Sequence, residues 1–533
     1  MSLFNRLPHL TNIGPDFEQR TRSCLADLRA TDPRDDKTRI EQTKGGLLAD
    51  AYLWVLDNAY FRQWRADRQS RLLWIKGDPG KGKTMLLCGI IDELTNLTPD
   101  TPVVSFFLCQ ATDVRINNAT AVLRGLIYLL VDKQPSLISH VQRRHEQAGK
   151  QLFEDANAWE ALSKIFTGIL EDPCLQRTYL IIDALDECII GLNLLLDLVV
   201  QKSSAYPRVK WIVSSRNWPT IEKDLDAVTQ KVRLCLELDE ESVSAAVTTY
   251  IQHKVDWLAK RNRYGDSTRH AVQRYLLLNA NGTFLWVALV CQELANIPGW
   301  KAQKKLTAFP PGLDALYRRM MDQICHSDDA ELCKSILAVV SVVYRPITLE
   351  ELSSFVDMPD GVSGDYEALV EIIGLCGSFL TLRERTISFI HQSAKDYLVE
   401  RASADERTGE QQRIVLRSIE AMDMALQRDI YNLQHPGYSV DKVEHPDPDP
   451  LAPIQYACVY WVDHLCEINS SHDEVGLYDN GTIDVFLRKH FLHWLEALSL
   501  IKRISDGVLA IAKLIGLLTV SYYQSRKILV NIN

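Results

Sequence analysis

The sequence predicts an α/β core on a parallel sheet with helices on both faces, followed by a largely helical remainder. Three observations predict it. Five short, almost uninterrupted apolar runs recur between residues 71 and 238. Helical patterns such as Ala119 to Val131 and Ala158 to Leu170 lie between most of them. A glycine-rich loop follows the first run, and a cluster of acids follows the third. Continuous hydrophobic strands alternating with helices indicate a parallel sheet buried on both sides.

The chain has 533 residues, a formal net charge of −10, 46% hydrophobic and 24% charged residues. That length holds several domains, and the composition is that of folded globular protein. The acidic balance argues against a protein that coats nucleic acid or an anionic membrane. Twelve cysteines occur without a CxxC pair, mostly in apolar segments, as expected for reduced thiols of a cytoplasmic protein. The first residues lack an apolar run of signal-peptide length. The greasiest stretch, Gly507 to Val520, is short and holds Lys513, so it reads as a packed helix rather than a membrane span.

Taken in order, residues 1–45 form an arm with an amphipathic piece from Phe17 to Leu28 and a charged loop, Thr31 to Lys37, where Pro33 opposes continuous helix. Residues 47–64 carry apolar side chains at helical spacing. The apolar runs are Leu72–Ile75, Val103–Leu108, Tyr179–Ile182, Val209–Val213 and Val232–Leu236. The pattern divides the chain into an arm (1–45), a core (46–238), a helical lid (239–308), a compact helical segment with a strand pair (309–402), a helix and Pro-rich linker (403–453) and a helical C-terminal region (454–533). The strand pair, Phe379–Leu382 and Ile387–Ile390, is joined by the charged turn Arg383 to Arg385, a winged-helix pattern. No fixed-period repeat occurs.

Gly77, Asp78, Pro79, Gly80, Lys81, Gly82, Lys83 and Thr84 fit the phosphate-loop pattern GxxxxGK[ST] between a buried strand and a helix. Backbone N–H groups and a positive helix end suit phosphate oxygens there, and the glycines let the backbone wrap closely. Lys83 adds a cation, and the Thr84 hydroxyl can ligate Mg²⁺. The run Tyr179–Ile182 delivers Asp183 to the carboxyl edge of the sheet, where such folds place ligands. Asp183 is the second candidate metal holder, with Asp186 or Glu187 to orient or deprotonate a water. Arg216, ending Lys210–Arg216, could sense a terminal phosphate or form a surface ion pair. His391 could contact a ligand or pack and cap the following helix. No NKxD-type guanine-reading element occurs, which favours ATP over GTP.

With these residues, the chain resembles fungal NACHT proteins, signal-transduction NTPases of the STAND division of P-loop ATPases. The resemblance rests on Gly77 to Thr84 and on Asp183-Ala-Leu-Asp-Glu187, with a small residue after the first acid, as Walker A and Walker B motifs, and on Ser214-Ser-Arg216. The stretches Thr31 to Asp57, Asn281 to Trp286, Phe389 to Leu398 and Gln455 to His464 are also similar to fungal members. It implies a nephrocystin-like NACHT module and a winged helix, held closed by ADP and opened by ATP with Mg²⁺. Slow hydrolysis and nucleotide-dependent self-association would end in incompatibility, defence or cell-death signalling, with protein partners unspecified. His391 stands where related proteins carry a histidine that touches the ADP phosphate. Such proteins often continue into ankyrin, WD40 or TPR repeats and start with an effector domain for which residues 1–45 are too short. A non-hydrolysing nucleotide-binding scaffold, or a truncated regulator of longer relatives, is the alternative. A phosphotransferase is a third, disfavoured by the helical residues after the core.

Overall fold

The computed structural model describes residues 15–96, 102–228, 230–359, 365–376, 379–383, 385–434, 438, 440–468, 478 and 480–530. The N-terminal residues read for a signal peptide, Glu384 of the charged turn and His435-Pro436 of the Pro-rich stretch lie outside them. The chain divides into two compact units, 1–316 and 317–533.

In the first unit, helices α1 (Pro15–Leu28) and α2 (Pro33–Thr43) precede short helices α3 (Ala49–Tyr52), α4 (Trp54–Asp57) and α5 (Ala59–Ala66). The sheet strands are β1 (Leu72–Lys76), β2 (Val103–Leu108), β3 (Thr178–Asp183), β4 (Val209–Ser215) and β5 (Lys231–Cys235). Between them lie α6 (Lys83–Thr95), α7 (Ala119–Lys133), α8 (Ser139–Ala148), α9 (Ala158–Glu171), α10 (Leu192–Ser203) and α11 (Pro219–Asp226). Helices α12 (Glu240–Asn262), α13 (Asp266–Asn279), α14 (Phe284–Ala295) and α15 (Gly299–Leu306) follow.

All four pairings of the sheet are parallel, in the order β2-β3-β4-β1-β5. The apolar runs are continuous because both faces are covered: Leu73, Ile75, Leu180, Ile181, Ile182, Ile212 and Val213 have no exposed surface. Each such side chain contributes about 1.5–3 kcal/mol when withdrawn from water. Trp211 meets Phe166 of α9 edge-on at 6.2 Å, and Trp64 lies 5.3 Å from Tyr179. The register Leu108↔Asp183 and Lys76↔Ser215 sets the carboxyl ends of four strands at one edge.

Two local expectations fail. Residues 47–64 are not one helix: Asn58 is extended (φ −61°, ψ 136°), and its side chain accepts from the Tyr60 N–H at 2.9 Å, starting α5 afresh. Nor is Thr31 to Lys37 a loop. Pro33 is the first helical residue of α2, where its missing N–H costs nothing. Asp32 caps that helix, accepting from the Arg34 N–H at 3.0 Å. Both N-terminal helices are anchored: Cys24 and Leu28 of α1 are fully buried, Arg124 of α7 donates to the Leu28 and Asp27 carbonyls, and Arg34 of α2 donates to Asp132 of α7 at 2.8 Å.

Helix α16 (Leu313–Cys325) spans the boundary between the units. The second unit continues with α17 (Ala330–Val342), β6 (Ile347–Thr348), α18 (Leu349–Phe355), α19 (Tyr366–Leu375), β7 (Leu380–Arg383), β8 (Thr386–Phe389), α20 (Gln392–Arg401), α21 (Ala404–Ala425), α22 (Gln455–Cys466), α23 (Thr482–Leu500) and α24 (Ile504–Val530). The expected strand pair is antiparallel β7–β8, with β6 added on the far side of β8. Capping boxes at Thr348/Glu351 and Ser403/Glu406 start α18 and α21. Trp494 packs edge-on against Trp461 and donates to the Cys458 carbonyl at 2.8 Å. In α24, Ala510 and Leu514 are buried, and Lys513 pairs with Asp463 of α22. Among the described residues no helix is long and apolar enough to cross a membrane. All twelve cysteines are unpaired; Cys174, Cys325 and Cys466 are exposed.

Replacing Asp32 by Ala removes both the cap of α2 and an ion pair to Arg34. A loss of about 1 kcal/mol is expected, read as a lower urea midpoint at unchanged slope.

Candidate functional site

The loop Gly77–Gly82 joins β1 to α6 at the carboxyl edge, and Lys83 and Thr84 open the helix. Its course depends on two left-handed glycines, Gly80 (φ 78°) and Gly82 (φ 84°), the second ending where α6 begins. There the first-turn N–H groups have no carbonyl within the helix to bind, and the helix dipole adds positive potential. Lys83 folds back over the loop, donating to the Gly77 carbonyl at 2.5 Å and the Asp78 carbonyl at 3.0 Å. Desolvation lowers its pKa, opposed by the nearby carboxylates of Asp186 and Asp183.

Asp183 ends β3 and is buried. Its Oδ1 accepts from the Ser214 hydroxyl at 2.5 Å, and the same hydroxyl accepts from the Ala184 N–H at 2.8 Å. Its Oδ2 is buried and has no hydrogen-bond partner. Ala184 holds φ 53°, a left-handed conformation that costs a non-glycine residue on the order of 1 kcal/mol and tolerates only a small side chain in this buried turn. That kink turns the chain into the 3₁₀ turn Leu185–Glu187.

Asp186 and Arg216 meet as a buried pair. The Arg216 Nε lies 2.9 Å from Asp186 Oδ2, and the Arg216 N–H donates to Oδ1 at 2.9 Å. Desolvation nevertheless pushes the Asp186 carboxyl up, against the opposing pull of Arg216 and Lys83. Glu187 Oε2 accepts from the Ala111 N–H at 3.0 Å. Desolvation, then repulsion from Asp186, raises its pKa to about 7. The edge therefore holds one orphaned carboxylate oxygen, one ion-paired carboxylate and one carboxyl that titrates near neutrality. His391 lies in the second unit as the N-cap of α20, its Nδ1 accepting from the Ser393 N–H at 3.1 Å. The capping geometry weighed from sequence is thus present.

Several participants escaped the sequence reading. Glu237, just beyond β5, accepts from the Asp78 N–H at 2.6 Å, and Asn217 donates to Asp78 Oδ1 at 2.9 Å. The turn into α14 rests on the loop: Lys81 donates to the Asn281 carbonyl at 3.2 Å. A Cβ on Gly82 would come within 2.9 Å of the Phe284 ring, and one on Gly80 within 2.9 Å of Thr283 and Leu285. Ser214 lay in a motif already noted, but no pattern announces a hydroxyl shared with a residue on the next strand.

Phosphate and a divalent cation fit these residues. Donors at the start of α6 suit phosphate oxygens, and the buried Asp183 Oδ2 lacks a partner.

Residues 50–216 match the family model "Nephrocystin 3, N-terminal". The chain is 55% identical over 517 residues to "Vegetative incompatibility protein HET-E-1" of Podospora anserina, which covers 93% of this chain. It spans 38% of that protein's length. Among solved structures, the Walker-type ATPase PABY2304 of Pyrococcus abyssi aligns at 12% identity and TM-score 0.31, over 64% of this chain and 93% of its own. C. elegans PCH-2 aligns at 14% identity and TM-score 0.27, over 54% of this chain and 71% of its own. Neither likeness carries further argument.

Because the Glu187 carboxyl moves from an ordinary 4.5 to about 7 on folding, the folded state holds a proton that the unfolded chain has released between those values. Its contribution to stability is full below pH 4.5 and lost as pH rises through about 7. Glu187→Gln is therefore expected to melt higher than the parent at pH 8, with the gap closing toward pH 4.5, in paired thermal scans.

Proposed function

We propose that this chain, which is similar to a fungal incompatibility protein over 93% of its own length, is a NACHT-type P-loop NTPase and a nucleotide-gated switch with slow ATP hydrolysis. The observation that carries the reading is the buried, unpartnered Asp183 Oδ2 at the same sheet edge as the glycine loop and Lys83. The donors at the start of α6 and the Lys83 ammonium hold the terminal phosphates, with Gly77 to Gly82 wrapping them. Thr84 and Asp183 hold Mg²⁺, which when bound neutralises charge on those phosphates. Glu187 is the better candidate for accepting the proton of the attacking water, because Asp186 is engaged by Arg216 through both oxygens. Arg216 then reports on the terminal phosphate by exchanging Asp186 for it. His391 is the proposed contact to a diphosphate from the winged-helix segment 309–402.

The core 46–238 would bind nucleotide, with 239–308 as lid and 403–453 leading to the helical region 454–533. ADP favours the closed form and ATP a self-associating form. Reversing a 1:99 equilibrium to 99:1 needs about 5.5 kcal/mol of differential affinity, so affinities for the two forms must differ by roughly 10⁴. The output by this reading is incompatibility or cell-death signalling in the cytoplasm.

Lys83→Ala is expected to weaken ATP·Mg²⁺ binding by roughly 10- to 100-fold, the equivalent of a lost charged hydrogen bond. Unchanged affinity in a fluorescent-nucleotide titration overturns the site. Hydrolysis is expected to rise with pH through about 7 as Glu187 loses its proton. Glu187→Gln should keep binding while slowing turnover by roughly 10²- to 10⁴-fold. Normal turnover in that variant removes Glu187 from the reaction.

A further inference from the structure

The family-model match begins at residue 50, yet α2 lies upstream of it and contacts both α6 and the loop that follows β2. Lys37, with only 8% of its surface exposed, bonds Glu41 at 2.6 Å and crosses to Asp92 of α6 at 2.7 Å. Two residues on, about half a turn round the helix, the Arg39 guanidinium donates to Gln110 Oε1 at 3.2 Å, Asp113 Oδ2 at 3.2 Å and Asp36 Oδ1 at 3.1 Å. Gln110 to Asp113 form the loop that leaves β2 at the carboxyl edge. It is closed by Asp113 N–H to the Gln110 carbonyl at 3.0 Å and tied to β3 by Cys109 N–H to the Asp183 carbonyl at 3.2 Å. Within that loop the Ala111 N–H holds Glu187. Arg115 also binds Asp113, at 2.9 and 2.7 Å, so the loop's carboxylate is gripped from both sides.

We infer that Arg39 is a positioning residue for hydrolysis: by clamping Gln110 and Asp113 it keeps the Ala111 N–H on the Glu187 carboxylate. The inference rests on the reading of Glu187 as the base. A planar guanidinium bound to two acceptors on the loop fixes orientation as well as distance, which a lysine cannot. The groups facing Glu187 are Asp186 beside it, Ala111 on the clamped loop, Lys44 just past α2, Arg216 at the end of β4, and the neighbouring thiol of Cys109. Asp186 opposes ionisation of Glu187; the Ala111 N–H, Lys44 and Arg216 favour it. Removing Arg39 leaves these charges in place and loosens the N–H, so ionisation becomes harder. Segments attached upstream of α2 would thereby act on the rate of hydrolysis without touching nucleotide.

The test uses the full chain with Arg39→Met, Arg39→Lys, Asp113→Asn and, as control, Thr38→Ala on the exposed side of α2. Arg39→Met is expected to bind fluorescent ATP with Mg²⁺ within about twofold of the parent. Its pH–rate limb should move upward by roughly half a unit to one unit, with the rate at neutral pH down roughly two- to sixfold as the ionised fraction of Glu187 falls. Asp113→Asn should reproduce the shift, Arg39→Lys should fall between, and Thr38→Ala should change nothing. Hydrogen exchange of the segment holding Ala111, measured without nucleotide, should speed up in Arg39→Met and Asp113→Asn. Unaltered exchange there, or an unmoved limb beside a lower melting temperature, overturns the inference and leaves α2 as scaffold. If the parent neither binds nor hydrolyses ATP, the reading of the site fails instead, and the exchange measurement alone decides whether Arg39 holds the loop.

Discussion

The hydroxyl of Ser214 is the point on which the edge of the sheet depends. It donates to Asp183 Oδ1 and accepts from the Ala184 N–H, locking the end of β3 to the end of β4. A buried carboxylate is expensive unless bonded, and an isolated backbone N–H in the same turn is nearly as costly. One short side chain satisfies both and leaves the second carboxylate oxygen unmatched. The left-handed Ala184 then bends the chain out of β3 into the turn Leu185–Glu187. Everything downstream inherits its position from that turn: Asp186 falls against Arg216, and Glu187 against Ala111.

The surroundings of the glycine loop are assembled from distant parts of the chain. Asn217 and Glu237 hold Asp78, Asn281 receives Lys81, and α2 braces α6 through Lys37 and Asp92. The neutral-range titration of Glu187 belongs to this assembly rather than to the residue alone. It arises from a desolvated carboxyl beside a second acid, moderated by one N–H and two cations.

How much of this the sequence revealed follows from the range of each interaction. The strands were legible because burial on both faces leaves only apolar residues, and the edge bearing Asp183 to Glu187 followed from where those runs stop. The break at Asn58 was not, because an Asn cap competes locally with a helical pattern that is otherwise continuous. Residues 31–37 read as a charged loop because Pro33 opposes continuous helix, yet Pro33 begins α2, Asp36 and Lys37 are buried, and Lys37 finds its partner on α6. Ser214, Glu237 and Ala111 act through partners 30 to 159 residues away, which no local spacing encodes.

The contact between the glycine loop and the turn into α14 constrains how this protein can vary. Gly82 faces the Phe284 ring, and Gly80 faces Thr283 and Leu285, at distances that leave no room for a methyl group. The two segments are some 200 residues apart, yet they can change only together. A lineage that gained a side chain in the loop would need a smaller neighbour at 284, or would carry a wedge beneath the first turn of α14.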